Sequence, residues 1–363
     1  MARRVGLLTL PLHVNYGGIV QAVALYNFLA GHGKEVTFLS QRPNRKLVQR
    51  VVLWALRTVP FQNIQGLRGR YLRRQVHKPF LDRWMPNRTR ELLSFSELSR
   101  AVTKRRLEAV IVGSDQVWRR SYVPADEFTN YFLDFVGDDV AKIAYAASFG
   151  ASEWTESEAL TARISALLAR FSKVMLREQS GVEICREKLG RPDAELVLDP
   201  TLLMPASFYE PMAAPPSARA GRDVMKYVLD HAGELAGLEA RAQEQLGQDS
   251  AVHGIHLQQD SGMPATIPQW LAEFRDAGFV LTDSFHGMAF SIIFRRQFVA
   301  LVNTKRGADR FVTLARQLGL EDRLIFIGEG TPFPDQPIDY DKVGARLEER
   351  RAACARALLS ALD

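Results

Sequence analysis

Short apolar runs alternate with longer amphipathic stretches along most of this chain. In the first half the runs at 5–10, 36–39, 109–112, 142–148, 174–176 and 196–198 read as buried strands, because they are short, aliphatic and bounded by turn residues. Helical spacing fills the intervals at about 19–30, 157–170 and 180–189, and Gly31 and Gly33 close the first of these. A Pro- and Ala-rich stretch, 205–222, then interrupts the rhythm and reads as a linker. The alternation resumes with strands near 225–229, 251–256, 279–282 and 298–301. Helices lie between them and at 308–318, and a long helix, charged on one side, runs over about 341–362. Strand–helix alternation in both halves predicts an α/β chain of two doubly wound, Rossmann-like domains facing a cleft. The expected division is 1–204 for the first domain and 205–363 for the second.

The polar positions that break this pattern fall at strand ends, where ligands bind in open parallel sheets. Thr282-Asp283-Ser284 supplies helix-capping chemistry after the run at 279–282, so His286 and Gly287 stand in the first turn of a helix. Free N–H groups there favour an anion, and the imidazole is a candidate acid, base or phosphate contact. The plain alternative is a helix start whose histidine satisfies a nearby carbonyl. Asn15, Tyr16, Gly17 and Gly18 follow the first strand, where paired glycines suit close approach by a phosphate or sugar, or simply a tight turn. Ser114, Asp115 and Gln116 follow the strand at 109–112. They offer short polar groups to sugar hydroxyls, with Asp115 a possible base, or else an Asx turn. Arg177 ends another strand and suits a carboxylate or phosphate fork, or a local pair with Glu178. Lys305, Arg306 and Arg310 cluster beyond the strand at 298–301.

Composition narrows the class. The chain has 363 residues, 47% hydrophobic and 24% charged, typical of a globular protein long enough for two cores. No run approaches the roughly 18 apolar residues of a membrane span. Cys185 and Cys354 form no metal-ligand spacing and fit a reduced, cytoplasmic setting. HExxH, paired CxxC, GxSxG and kinase signatures are absent, so neither a metal nor a cofactor is expected. The net charge of +6 is concentrated: 42–106 holds seventeen Lys/Arg against three acids, with aromatics interleaved. That segment reads as a basic helical insertion, with VVLWAL (51–56) as its apolar face. It is either a solvated face or a surface for anionic lipid head groups and pyrophosphate. No nucleic-acid motif accompanies it, so nucleic acid is not an expected partner.

Four segments, taken in order, carry a family resemblance: LTLPLHVNYGGIVQAVAL (8–25), VIVGSDQVW (110–118), VMLREQS with LVLDPTLL (174–180 and 196–203), and VLTDSFHGMAFSIIF (280–294). The ordered set resembles the polysaccharide pyruvyl transferases. The resemblance implies a glycosyltransferase-B-like fold and pyruvyl transfer from phosphoenolpyruvate onto two hydroxyls of a sugar as a cyclic ketal. The implied acceptor is a lipid-linked oligosaccharide or cell-surface glycan precursor, met at the inner face of the cytoplasmic membrane. His286 would then be the acid, oriented by Asp283, with Asp115 the base toward the acceptor. Arg177, Ser284, Gly287, Lys305, Arg306 and Arg310 would bind the donor. Asn15, Tyr16, Gly17, Gly18, Ser114 and Gln116 would bind the acceptor. Several members carry an Arg two residues before the motif His, where this chain has Ser284, so one of the other cations would take that place. A nucleotide-sugar glycosyltransferase and a non-catalytic phospho-glycan binding module are the competing readings. The oligomeric state is not readable.

Overall fold

The computed structural model describes residues 2–12, 15–42, 76–229, 236–247, 249–254, 265–303 and 307–363. VVLWAL, Lys305 and Arg306 lie outside them. The strands form two parallel sheets. The first holds β1 (Arg4–Leu8), β2 (Glu35–Phe38), β3 (Ala109–Val112), β4 (Ala141–Ala147), β5 (Lys173–Leu176) and β6 (Glu195–Leu196), in the order β2-β1-β3-β4-β5-β6. The second holds β7 (Val224–Tyr227), β8 (Val252–Gly254), β9 (Phe279–Thr282), β10 (Gln297–Val302) and β11 (Leu324–Phe326), in the order β11-β10-β9-β7-β8. Both sheets reverse strand order beside their first strand, at β1/β3 and at β7/β9. Those are the switch points where doubly wound sheets open a crevice at their carboxyl edge.

Twelve α-helices connect the described strands: α1 (Tyr16–Gly31), α2 (Lys78–Trp84), α3 (Phe95–Lys104), α4 (Glu158–Leu168), α5 (Gln179–Glu187), α6 (Pro200–Leu203), α7 (Ala206–Tyr209), α8 (Ala236–Leu246), α9 (Ile267–Asp276), α10 (Phe285–Ile293), α11 (Asp309–Leu318) and α12 (Tyr340–Ser360). Their ends follow capping chemistry. Asn15 accepts from Gly18 N at α1, Ser94 from Glu97 N at α3, and Thr266 forms a capping box with Gln269 at α9. α11 stops at Gly319 in the left-handed conformation (φ 69°). Because Asn15 is the cap, α1 begins three residues before the expected 19, which draws Tyr16, Gly17 and Gly18 into the helix. β11 escaped the hydrophobic pattern, since three residues, Leu-Ile-Phe, show no alternation.

α1 is apolar around its whole circumference, which marks a helix buried on all sides. It packs on the first sheet and, on its other face, against α6 and α9. One continuous core therefore joins Val23 and Leu25 of α1 to Trp270 of α9 and Met288 and Phe290 of α10. The outer faces of the two sheets carry separate clusters, around Trp118 and Phe132 in the first domain and Phe279 and Val299 in the second. The stretch expected to be a bare linker contains α7, and Tyr209 and Met212 sit in the shared core. The last helix crosses back to the first domain. Cys354 accepts from Leu198 N, Arg350 donates to Leu196 O, and Arg351 donates to Leu202 O and Met204 O. Among the described residues no helix is long and apolar enough to cross a membrane.

Candidate active site between the two domains

The first switch point is filled by a buried hydrogen-bond network. Thr9, at the end of β1, donates through Oγ1 to Ser114 O (2.7 Å), and Ser114 N donates to Gln21 Oε1 (3.2 Å). Ser114 Oγ donates to Asp199 Oδ2 (2.9 Å), and the other Asp199 oxygen accepts from Thr201 N and Oγ1 (3.0 and 2.8 Å). Arg177, leaving β5, donates through Nη1 to Asp199 Oδ2 at 2.9 Å. Its Nη2 lies 3.8 Å from Asp115 Oδ1 and its Nε 3.9 Å from Glu178 Oε2, while the guanidinium stacks 4.7 Å over Phe285 of the second domain. Asp115 is held in the left-handed region (φ 78°), with Oδ1 accepting from Gln116 N and Oδ2 from Asn15 Nδ2.

The second domain brings His286 to this network on the first turn of α10. Ser284 caps the helix through Gly287 N, and its own N–H donates to Thr282 Oγ1, so the start of α10 is fixed at the end of β9. His286 is buried and its Nε2 stands 3.9 Å from Asp199 Oδ2. Its ring lies on Gly17, where an added Cβ would overlap the imidazole. Gly287 is equally constrained, since a Cβ there would run into Thr282.

The charges are strongly coupled. Burial pushes the His286 pKa down; the Asp199 carboxylate works against this, the Arg177 cation with it, and the balance stays below the ordinary imidazole value. Burial alone would raise Asp199, but His286, Arg177 and the Thr201 hydrogen bonds hold it below the usual carboxylate range. Burial raises Glu178 despite Arg177 nearby. Burial and the like charge of Arg177 push Arg310, on α11, down to about 10. Four nitrogen atoms in this cluster are buried without a hydrogen-bond partner: Arg177 Nε and Nη2, Arg310 Nε and His286 Nε2. Glu178 Oε2 is unpartnered as well. Buried donors rarely stay unpaired, and a group of them around one point suits an anionic ligand.

The structure brings His286, Asp115, Ser114, Asn15, Arg177 and Arg310 together, and it redistributes several expected roles. Asp283 Oδ1 accepts from Leu229 N at 2.7 Å, tying down the segment after β7. The carboxylate beside His286 is Asp199, whose sequence signal, Asp-Pro after a strand, looks like ordinary helix capping. Tyr16 does not face a sugar. It is fully buried, stacked on Trp270 with ring centroids 5.8 Å apart, and its hydroxyl donates to Ala265 O. The close approach expected at Gly17 is made by the His286 ring. Gln116 Oε1 accepts from Arg119 Nη1 (2.6 Å) and closes against Gly150. Among the described residues no cluster of three His, Cys, Asp or Glu is placed to hold a metal ion.

The profile of one family, polysaccharide pyruvyl transferase, matches residues 15–305, from the cap of α1 to beyond β10. The chain belongs to the polysaccharide pyruvyl transferase family. The matched span contains Asn15, Asp115, Arg177, Asp199 and His286, and Arg310 lies just beyond it. The comparison with curated proteins finds no match. Solved structures with some likeness include a spinosyn forosaminyltransferase, SpnP (14% identity, TM-score 0.46, 99% of this chain and 94% of that one). Others are the glycosyltransferase SnogD from Streptomyces nogalater (12%, 0.46, 99% and 100%) and a UDP-GlcNAc 2-epimerase from Methanocaldococcus jannaschii (10%, 0.46, 97% and 93%). The two Rossmann-like domains meeting across the His286 cluster are the architecture expected of a pyruvyl transferase with a glycosyltransferase-B-like fold.

Proposed function

We propose that this pyruvyl transferase takes its pyruvyl group from phosphoenolpyruvate and sets it as a cyclic ketal on two hydroxyls of a glycan. The observation that carries the reading is the group of four buried, unpartnered donor nitrogens on Arg177, Arg310 and His286. Phosphoenolpyruvate brings a carboxylate and a phosphate close together, and such a pair fills guanidinium donors directed at one point. Arg177 and Arg310 stand among Asp115, Glu178 and Asp199, and their unpartnered nitrogens are the donors left for an anion.

His286 delivers a proton to the methylene carbon of the bound enol ester. The cationic carbon that results accepts one sugar hydroxyl, the C–O bond to phosphate breaks, and inorganic phosphate leaves. A second hydroxyl then attacks the same carbon and closes the ring. Asp115 takes a hydroxyl proton on the acceptor side. Asp199 holds the Arg177 fork and biases His286 toward its charged form. The incoming donor anion acts in the same direction, so the acid is armed by the substrate it protonates.

The acceptor is expected to be a lipid-linked oligosaccharide or a related glycan precursor, met at the inner face of the cytoplasmic membrane by way of the basic segment 42–106. The test is incubation of the purified chain with phosphoenolpyruvate and candidate acceptors, reading phosphate release and acceptor mass. A ketal-sized mass gain with equimolar phosphate supports the reading. Release of a nucleoside diphosphate from a nucleotide sugar, with no reaction of phosphoenolpyruvate, replaces it with glycosyl transfer.

A further inference from the structure

A second cavity, of about 300 Å³, opens at the same carboxyl edge of the first sheet, on the β2 side of the switch point. Thr9, Leu12, Gln41, Arg42, Lys78 and Arg88 are among its walls. Thr9 is shared with the network described above, through its bond to Ser114 O and from there to Asp199. The cavity therefore backs directly onto the catalytic cluster. Its size is at the low end for a small-molecule site, enough for one sugar ring with a substituent.

Two features of the wall point to a ligand. The first is charge. Arg42, Lys78 and Arg88 converge here, answered by Glu91 on Arg42 (2.8 Å) and by a single carboxylate, Asp82, shared between Lys78 and Arg88. These are partly exposed pairs, worth little against a competing anion. The second is an independent polar vacancy in the hydrogen-bond pattern. Gln41 is buried; its Nε2 donates to Glu127, and its Oε1 accepts from no described residue. A buried amide oxygen with no donor is costly, and a hydroxyl would satisfy it. Cations together with a lone buried acceptor fit a molecule bearing both an acidic group and hydroxyls, and Leu12 and Phe38 supply an apolar surface for a sugar's C–H face.

We propose that this cavity anchors the acceptor through a sugar carrying a phosphate or carboxylate, with the acidic group on Arg42, Lys78 and Arg88 and one hydroxyl on Gln41. The proposal rests on the transferase reading of the His286 cluster, because it makes the cavity that reaction's acceptor subsite.

The experiment is calorimetric titration of the full chain with glucose 1-phosphate, glucuronic acid, inorganic phosphate and glucose, with and without saturating phosphoenolpyruvate. At least one anionic sugar should bind saturably, more tightly than inorganic phosphate or glucose, and should survive the addition of phosphoenolpyruvate. The better of the two anionic sugars identifies the acidic group. Arg42→Gln with Arg88→Gln should weaken that binding about tenfold or more, the scale of losing charge-assisted hydrogen bonds. Gln41→Met should weaken it about threefold to tenfold while leaving inorganic phosphate unchanged. Arg88→Gln alone alters a side chain at the surface and keeps the test open if the double variant does not fold. Absence of saturable binding, equal binding in parent and variants, or displacement by phosphoenolpyruvate overturns the proposal. His286→Ala separates the two readings, since it should abolish turnover yet bind the anionic sugar as the parent does. Undiminished turnover in that variant would remove His286 from the reaction and leave the binding result standing.

Discussion

The two sheets share a strand order, yet their switch points are built in opposite ways. The first is dense with buried polar groups: Thr9, Gln21, Ser114, Asp115, Arg177, Asp199 and Thr201 bond or pair with one another across four loops, and two Arg177 nitrogens are left over. The second, among the described residues, is held by backbone bonds and aromatic packing. Thr282 Oγ1 donates to Tyr227 O, Asp283 takes Leu229 N, and Tyr227 packs on Trp270 and Phe274. From the second domain His286 reaches the cluster, joined by Arg310 of α11. Equal topology thus leaves the division of labour open. One domain supplies most of the charge frame, and the other closes it with an imidazole and a second guanidinium.

The comparison breaks first at the proton carrier. His286→Ala should lower turnover by about two orders of magnitude or more while the melting temperature moves little, because the frame is intact without it. Arg177→Met should lose as much activity and also destabilise the fold by about 3–5 kcal/mol, since Asp199 and Asp115 would be left buried without their cation. Phosphate release and thermal melts distinguish the two. Gly17→Ala comes next. Its methyl group meets the His286 ring, so turnover should drop roughly tenfold to a hundredfold at a stability cost of about 1–3 kcal/mol. Full activity in that variant would show that the ring need not rest on α1.

The pH dependence sharpens the same contrast. As the proposed acid, His286 has a pKa held below the ordinary value of about 6.5, so kcat/KM should fall as pH rises through a limb lying below that value. Asp199→Asn removes the charge that opposes this depression and should move the limb lower still. His77, packed against Tyr16 with ring centroids 5.2 Å apart, reports on the frame instead of the chemistry. Burial pushes its pKa down to about 4. The folded chain therefore resists a proton that the unfolded chain takes up near 6.5. Stability is complete above that pH and declines as pH falls toward 4, by up to roughly 3 kcal/mol. Denaturant melts of His77→Phe should lack this component. The smallest effect is expected from Asp283→Asn, whose amide oxygen still accepts from Leu229 N. Its turnover should stay within about threefold of the parent, and a loss comparable to that of Asp199→Asn would return the orienting role to Asp283.

Much of this organisation was legible in the sequence, for identifiable reasons. Buried parallel strands are short, continuous apolar runs, so β3 and β9 fall where the pattern puts them. His286, Arg177 and Asp115 were found because they follow strand ends. What escaped depends on contacts between distant segments. Asp199 reads as a helix cap until Arg177 and His286 are seen beside it. Tyr16 reads as a loop residue until α9 covers it. Gly17 reads as a phosphate turn until α10 lays a ring on it. The long final helix shows its charged side in the sequence, but its attachment to β6 and α6 rests on Arg350, Arg351 and Cys354 meeting backbone groups roughly 150 residues away.

That attachment has a mechanical consequence. The chain passes between the domains twice, once before β7 and again where α12 returns, so the halves are joined like a door on two pins. Relative rotation is channelled about the line through those crossings. A swing that lifts α10 from α1 must withdraw His286 from Gly17 and Phe285 from Arg177 in one stroke. His286 and Arg177 are therefore brought to the same junction together or not at all.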